Sequence, residues 1–183
     1  YKYQGTGNDF IIIDDRNNLF DHNDNALISA LCERRMGIGA DGLILLRNHD
    51  KYDFEMIYFN SDGYISSMCG NGGRCIVSFA SLLDIIKNEA IFIAIDGIHR
   101  AKIIDDEVSL QMRNVEKIDK FSDGIFIDTG SPHYVKFEND IKSLDVKLEG
   151  RKIRNSSRFK KKGVNVNFVE HNENIFVRTY ERG

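Results

Sequence analysis

The chain has 183 residues, 42% hydrophobic and 29% charged, the proportions of a soluble globular protein with room for one large domain or two small ones. A net charge of −3 gives no electrostatic reason to expect nucleic acid as a partner, and no apolar run approaches the roughly 18 residues that span a bilayer, so no membrane is expected either. Three cysteines, Cys32, Cys69 and Cys75, make too sparse and odd a set for a disulfide framework, and five scattered histidines lack ligand spacing; the expectation is a cytoplasmic protein without a metal site.

Gly5-Thr6-Gly7-Asn8-Asp9-Phe10 leads into Ile11-Ile12-Ile13, which reads as a buried strand ending in the turn residues Asp14 to Asn18. A GxG without a following helix is not a dinucleotide fingerprint. The spacing predicts a helix over Ala26 to Arg35 with Leu27, Ala30 and Leu31 on one face, stopped by Gly37 and Gly39. Leu43 to Leu46 and Phe54 to Phe59 read as strands, and Asn60-Ser61-Asp62-Gly63 is a hairpin-turn signal. The glycine-rich turn Met68-Cys69-Gly70-Asn71-Gly72-Gly73-Arg74-Cys75 then opens an apolar segment. From Gly73 to Lys87 almost no polar face remains, which predicts a helix buried on all sides with a sheet curled around it. Ala90 to Ile95, His99 to Ile104 and Val108 to Met112 continue as strands, with turns at Asp96-Gly97 and Asp105-Asp106.

The charged stretch Asn114 to Gly124 is the boundary candidate, giving domains over 1–113 and 114–183. Strands resume at Ile125 to Asp128, His133 to Phe137, Val164 to Val169 and Ile175 to Tyr180, and this second portion reads as strand and loop without a central helix. The basic run Arg158 to Lys162 reads as a solvated loop, and no repeat is visible at residue level.

The chemistry is concentrated at Cys69. A turn opening a helix directs unpaired N–H groups at one spot beside the positive end of the helix dipole, a setting that holds an anion and favours a thiolate. Gly70 and its neighbours let a ligand approach the backbone. The alternative is a turn with Cys69 as a small core residue, while Cys75 and Cys32 read as structural. Asn8 and Asn60 each suit a ligand contact or a turn, and Asn165 sits as an amide between Val164 and Val166. Glu181-Arg182 suits either an amino-acid clamp, Arg to carboxylate and Glu to ammonium, or a surface ion pair.

Together these segments resemble the diaminopimelate epimerase family. The resemblance rests on Gly5 to Phe10, Arg34-Arg35-Met36-Gly37-Ile38-Gly39-Ala40-Asp41-Gly42, Phe59 to Gly63, and Met68 to Cys75. It continues through Gly130-Ser131-Pro132-His133, Gly163-Val164-Asn165 and Tyr180-Glu181-Arg182-Gly183, in order along the whole chain. The resemblance implies an α/β fold of the α+β type, with two similar domains, each a curled sheet around a central helix, and substrate between them. It implies a homodimer that epimerises LL-diaminopimelate to meso-diaminopimelate for lysine and peptidoglycan precursors. No cofactor is implied: one cysteine removes the α-proton and a second delivers a proton from the opposite face.

Carried over by position, Cys69 matches a catalytic cysteine. Asn8, Asn60, Gly70, Asn71, Asn165, Glu181 and Arg182 match substrate-binding residues, and His133 and Glu181 match residues that tune the cysteines. Ser131 stands where the family usually has Asn, and Gly42 where some members place a glutamine. In the family, Glu-Arg-Gly is followed by a second cysteine motif and a second central helix, and this sequence ends at Gly183 before either. The expectation is therefore a shortened chain with an incomplete second domain, inactive by itself. The competing expectations are another isomerase of the same fold, such as a proline or hydroxyproline racemase relative, and a non-catalytic remnant.

Overall fold

The computed structural model describes residues 1–181. The chain divides into two compact units, the first Tyr1–Met112 and the second beginning at Arg113. In the first, β1 (Lys2–Gly5), β2 (Asn8–Asp14), β3 (Gly42–Arg47), β4 (Phe54–Asn60), β5 (Glu89–Ala94), β6 (Gly97–Ile104) and β7 (Glu107–Leu110) form one sheet in sequence order. The pairs β2–β3 and β4–β5 are parallel and the others antiparallel. Each parallel step needs a crossover, and the helices supply them: α1 (Asn25–Cys32) between β2 and β3, and α2 (Gly70–Leu82) between β4 and β5.

Both edge strands, β1 and β7, contact α2, so the sheet is curled around that helix. Phe10, Ile12, Ile44 and Met56 pack with Cys75, Ile76, Val77, Phe79 and Ala80 on the concave side. Leu43, Leu45 and Phe59 point the other way, onto Ile28 and Cys32 of α1. This explains the unbroken apolar run of β3: with a helix on each side, its alternating side chains are all buried.

Two helices differ from expectation. In α1 the buried residues are Ile28 and Cys32, with Leu31 packed beside them, whereas Leu27 is exposed. The helix starts one residue earlier than expected, fixed by Asp24, whose carboxylate accepts from the Leu27 N–H at 2.9 Å, and the packing of Ile28 and Cys32 on Leu43, Leu45 and Phe59 selects the face that turns inward. Helix α2 is not buried all round: it ends at Leu82, which is 59% exposed, and Asp84 with φ +57° turns the chain back. Ile85 and Ile86 pack on the same core from that return segment.

The second unit contains β8 (Ile118–Phe121), β9 (Gly124–Asp128), β10 (Pro132–Phe137), α3 (Val146–Arg154), β11 (Asn165–His171) and β12 (Ile175–Tyr180). Its sheet runs β12-β11-β10-β9-β8, with β10–β11 parallel and the rest antiparallel. The sequence reading had no helix here. Helix α3 exists because Asp145 caps it as Asp24 caps α1, accepting from the Leu148 N–H at 2.9 Å, although most of its surface is polar. Val146 and Ile153 pack against Tyr134, Val166 and Phe168, and Gly150 lies under Tyr180.

An internal repeat emerges that residue identities hide. The order strand, strand, helix, parallel strand, antiparallel strand occurs as β1-β2-α1-β3-β4 and again as β9-β10-α3-β11-β12. Helix α3 is thus the counterpart of α1 rather than of α2. Among the described residues the opposite face of the second sheet carries no helix, and Ile118, Ile175 and Val177 are more than half exposed there. No helix among the described residues is long and apolar enough to cross a membrane.

A Cβ at Gly150 would stand 2.3 Å from the Tyr180 Cβ. Gly150→Ala is therefore expected to lower stability by about 1–3 kcal/mol through overpacking, measured by urea unfolding; an unchanged midpoint would contradict this seating of α3.

Candidate active site

The strand order places the sequence motifs at one end of the first sheet. Strands β2 and β3 begin there and β4 ends there, with Phe10, Gly42 and Asn60 in register across them. Asn8 opens β2, Asn60 closes β4, and the turn after Asn60 leads to the start of α2. That turn is closed by the Gly63 N–H on the Asn60 carbonyl at 2.9 Å and by the Asn60 N–H on the Tyr64 carbonyl at 3.0 Å.

Cys69 is the N-cap of α2, in extended conformation with φ −112° and ψ 125°. The first turn closes with the Gly73 N–H on the Cys69 carbonyl at 2.7 Å. The N–H groups of Gly70, Asn71 and Gly72 precede that bond, and no side chain caps them. The dipole of α2 adds positive potential at the same place. An anion-binding N-terminus therefore adjoins a half-buried thiol.

The glycines of this turn divide by role. A Cβ on Gly73 would come within 2.6 Å of Met68, and one on Gly72 within 3.1 Å of Ile44, so both let α2 sit close to the sheet. At Gly70 a Cβ would meet nothing nearer than Met112 Sδ at 3.6 Å, an ordinary contact. Packing accounts for Gly72 and Gly73 and leaves Gly70 as the residue whose bareness opens the backbone.

Three of the expected residues meet at the thiol. The Cys69 Sγ donates to Asn8 Oδ1 at 3.6 Å, and Asn71 Nδ2 donates to the same oxygen at 3.5 Å. Behind them stands an ionic cluster that the sequence reading did not assign. Arg34 bonds Asp9 at 2.9 and 3.2 Å and Asp41 at 2.7 Å, and Lys2 lies 2.8 Å from Asp9. Arg34 and Lys2 hold the Asp9 carboxyl well below the usual range. The visible signal is the Arg34 to Asp41 segment, where charged residues stand at both ends of a stretch holding Gly37 and Gly39.

The other thiols differ. Cys75 is buried, and loss of hydration pushes it up to about 11; burial likewise raises Cys32, which lies across the sheet on α1. Among the described residues no three His, Cys, Asp or Glu side chains are grouped to hold a metal ion.

In the second unit, His133 and Asn165 are register partners at the starts of β10 and β11. Asn165 is buried and its Nδ2 donates to Ser131 Oγ at 3.3 Å. Asn167, unassigned from sequence, places its Nδ2 3.1 Å from His133 Nδ1 and accepts from Thr179 Oγ1 at 3.0 Å. With the Asn167 amino group facing Nδ1, a neutral His133 carries its proton on Nε2. Glu181 follows β12 and is exposed, while Arg182 lies outside the described residues.

Residues 1–118 match the family model described as diaminopimelate epimerase. A diaminopimelate epimerase of Flavobacterium psychrophilum is 55% identical over an alignment covering 100% of this chain and 73% of that protein. One from Chlorobaculum tepidum is 42% identical, covering 98% and 73%. The chain thus spans about three quarters of the length of these relatives. A solved Bacillus anthracis phenazine biosynthesis protein of the PhzF family superposes with a TM-score of 0.71 at 11% identity, over 99% of this chain and 71% of that one, a likeness of fold alone.

Because Asp9 is depressed by its partners, it adds stability above the unfolded carboxylate pKa of about 3.9 and loses it as pH falls through its lower folded value. Arg34→Gln removes the main partner. The gap in melting temperature between the native chain and this variant is expected to be constant above about pH 5 and to narrow below about pH 4; a gap that widens on acidification would contradict the cluster's role.

Proposed function

The chain belongs to the diaminopimelate epimerase family, and from that premise we propose that it interconverts LL- and meso-diaminopimelate by a two-base mechanism in which Cys69 is one base. Membership makes it an isomerase of amino acids. The observation that carries the reading is the coincidence at one point of the Cys69 thiol, the leading N–H groups of α2 and the Asn8 and Asn71 amides.

Removing the α-proton leaves an electron pair that spreads into the adjoining carboxylate. N–H groups aimed at that carboxylate lower the barrier most where charge grows, and they need no rearrangement as it does so. Cys69 Sγ takes the proton on one face. A second thiol delivers its own proton to the carbon from the other face, which inverts the centre, and the reverse passage restores both sulfurs. A single thiol returns the proton to the side it came from. Neither Cys75 nor Cys32 suits the second part: both are buried, and Cys32 faces the opposite side of the sheet. Gly70 and Asn71 are assigned to the substrate by backbone and amide. Asn60, Asn165, Glu181 and Arg182 are assigned as further substrate contacts, and His133 as a tuning group, on family resemblance. Homodimer formation and a cytoplasmic location belong to the same reading.

The test is turnover of LL-diaminopimelate by the complete gene product in deuterated water. Meso product carrying deuterium at the inverted α-carbon is expected. Cys69→Ala should lower the rate by about 10²–10⁴-fold or more. Cys75→Ala should keep the rate within a few-fold while reducing stability by about 1 kcal/mol. Full activity in Cys69→Ala, or no deuterium in the product, would overturn the proposal.

A further inference from the structure

The two ends of an asparagine side chain have the same outline but opposite hydrogen-bonding character: one accepts and the other donates. Which end faces the thiol is decided at this site by charged residues that do not touch it. Asp41 Oδ2 accepts from Asn8 Nδ2 at 2.8 Å and from the Asp9 N–H at 3.1 Å, while its Oδ1 is held by Arg34 at 2.7 Å. A carboxylate paired with arginine offers only acceptors, so the Asn8 amino group must face Asp41. Its carbonyl then faces Cys69 Sγ at 3.6 Å. Asn71 is oriented by the opposite logic: its Oδ1 accepts from the Arg74 guanidinium and from Thr6 Oγ1, which turns its amino group toward Asn8. The polarity runs unbroken from Asp41 through both amides to Arg74.

We propose that Asp41, held by Arg34, is a positioning residue for Cys69, fixing the Asn8 amide so that an acceptor rather than a donor faces the sulfur. Its importance for turnover rests on the role given to Cys69 above; the orientation itself does not. An acceptor at that point bonds the S–H form and gives its proton one direction, whereas a donor there would favour the sulfur without its proton. The other charged and titratable groups near the thiol include Arg74 and Cys75 on its own helix, Tyr3 and Glu107, which line a cavity with those two, and Asp9, Arg34 and Lys2 behind Asn8. Asp41 carries charge of its own, so a direct electrostatic effect and an effect through Asn8 must be separated, and a double-mutant cycle does this.

The experiment measures the rate of Cys69 alkylation by iodoacetamide from about pH 6 to pH 10, read by peptide mass spectrometry on the intact chain. In Asp41→Asn the new amide can meet either end of Asn8, and the midpoint is expected to fall by roughly half to one pH unit. Asn8→Ala should produce a similar fall, and adding Asp41→Asn to it should change nothing more. Arg34→Lys, which keeps the charge but loses the fork joining Asp9 and Asp41, should shift the midpoint in the same direction, again only when Asn8 is present. This variant decides the matter if Asp41→Asn does not fold. An unchanged midpoint in both variants, or an equal shift with and without Asn8, would overturn the proposal. Labelling does not depend on turnover, so an active Cys69→Ala enzyme would remove the catalytic reading and leave the orientation result standing.

Discussion

The N-terminal turn of α2 approaches the sheet so closely that a Cβ at Gly72 would stand 3.1 Å from Ile44 and 3.3 Å from Met56, and one at Gly73 would stand 2.6 Å from Met68 and 2.9 Å from Leu110. That approach depends on the curl of the sheet, since both β1 and β7 reach the same helix. It also fixes where the helix starts. With Phe79 held against Tyr3 at 5.9 Å between ring centres, and Ile76 and Val77 buried in the core, the helix has one axial position, and its N-cap falls on Cys69 beside Asn8. The Cys69 thiol is placed by hydrophobic packing, and the strands bring Asn8 and Asn60 to the same sheet end.

Much of this was legible in the sequence, for identifiable reasons. A glycine-rich turn before a long apolar segment announces a buried helix with an open start, and the strands of the first unit carried apolar runs bounded by clear turns. The face of α1 was not legible, because Leu27 and Ile28 are both apolar and only contacts with Leu43, Leu45 and Phe59, distant in sequence, decide which turns inward. Strand β1 escaped because its residues alternate weakly and its stability comes from pairing with β2 and packing on α2. Helix α3 escaped because its apolar residues are few and Gly150 interrupts them, a glycine that exists for Tyr180 rather than for a turn. The Arg34, Asp9 and Asp41 cluster was visible as residues but not as a group, since the register of β2 with β3 assembles it.

The repeat β1-β2-α1-β3-β4 and β9-β10-α3-β11-β12 places the expected site residues of each unit at corresponding positions. Asn8 and Asn60 lie where strands begin and end in the first copy, and His133, Asn165 and Glu181 occupy the matching end of the second. Within each copy polar residues collect where the parallel strands start and are tied there by side-chain hydrogen bonds, Asn8 to Asp41 in the first and Asn165 to Ser131 in the second. The apolar alternation continues along the rest of each strand. The two copies share strand pairing, which depends on pattern rather than on particular residues, and differ in side-chain identity.

In the proposed reaction the start of α2 holds the carboxylate beside the reacting carbon. Backbone amide resonances measured during titration with meso-diaminopimelate test it most directly. The Gly70 and Asn71 N–H signals are expected to move downfield and saturate together, as they would on gaining a carboxylate acceptor. Saturable binding that leaves both signals unmoved would contradict it.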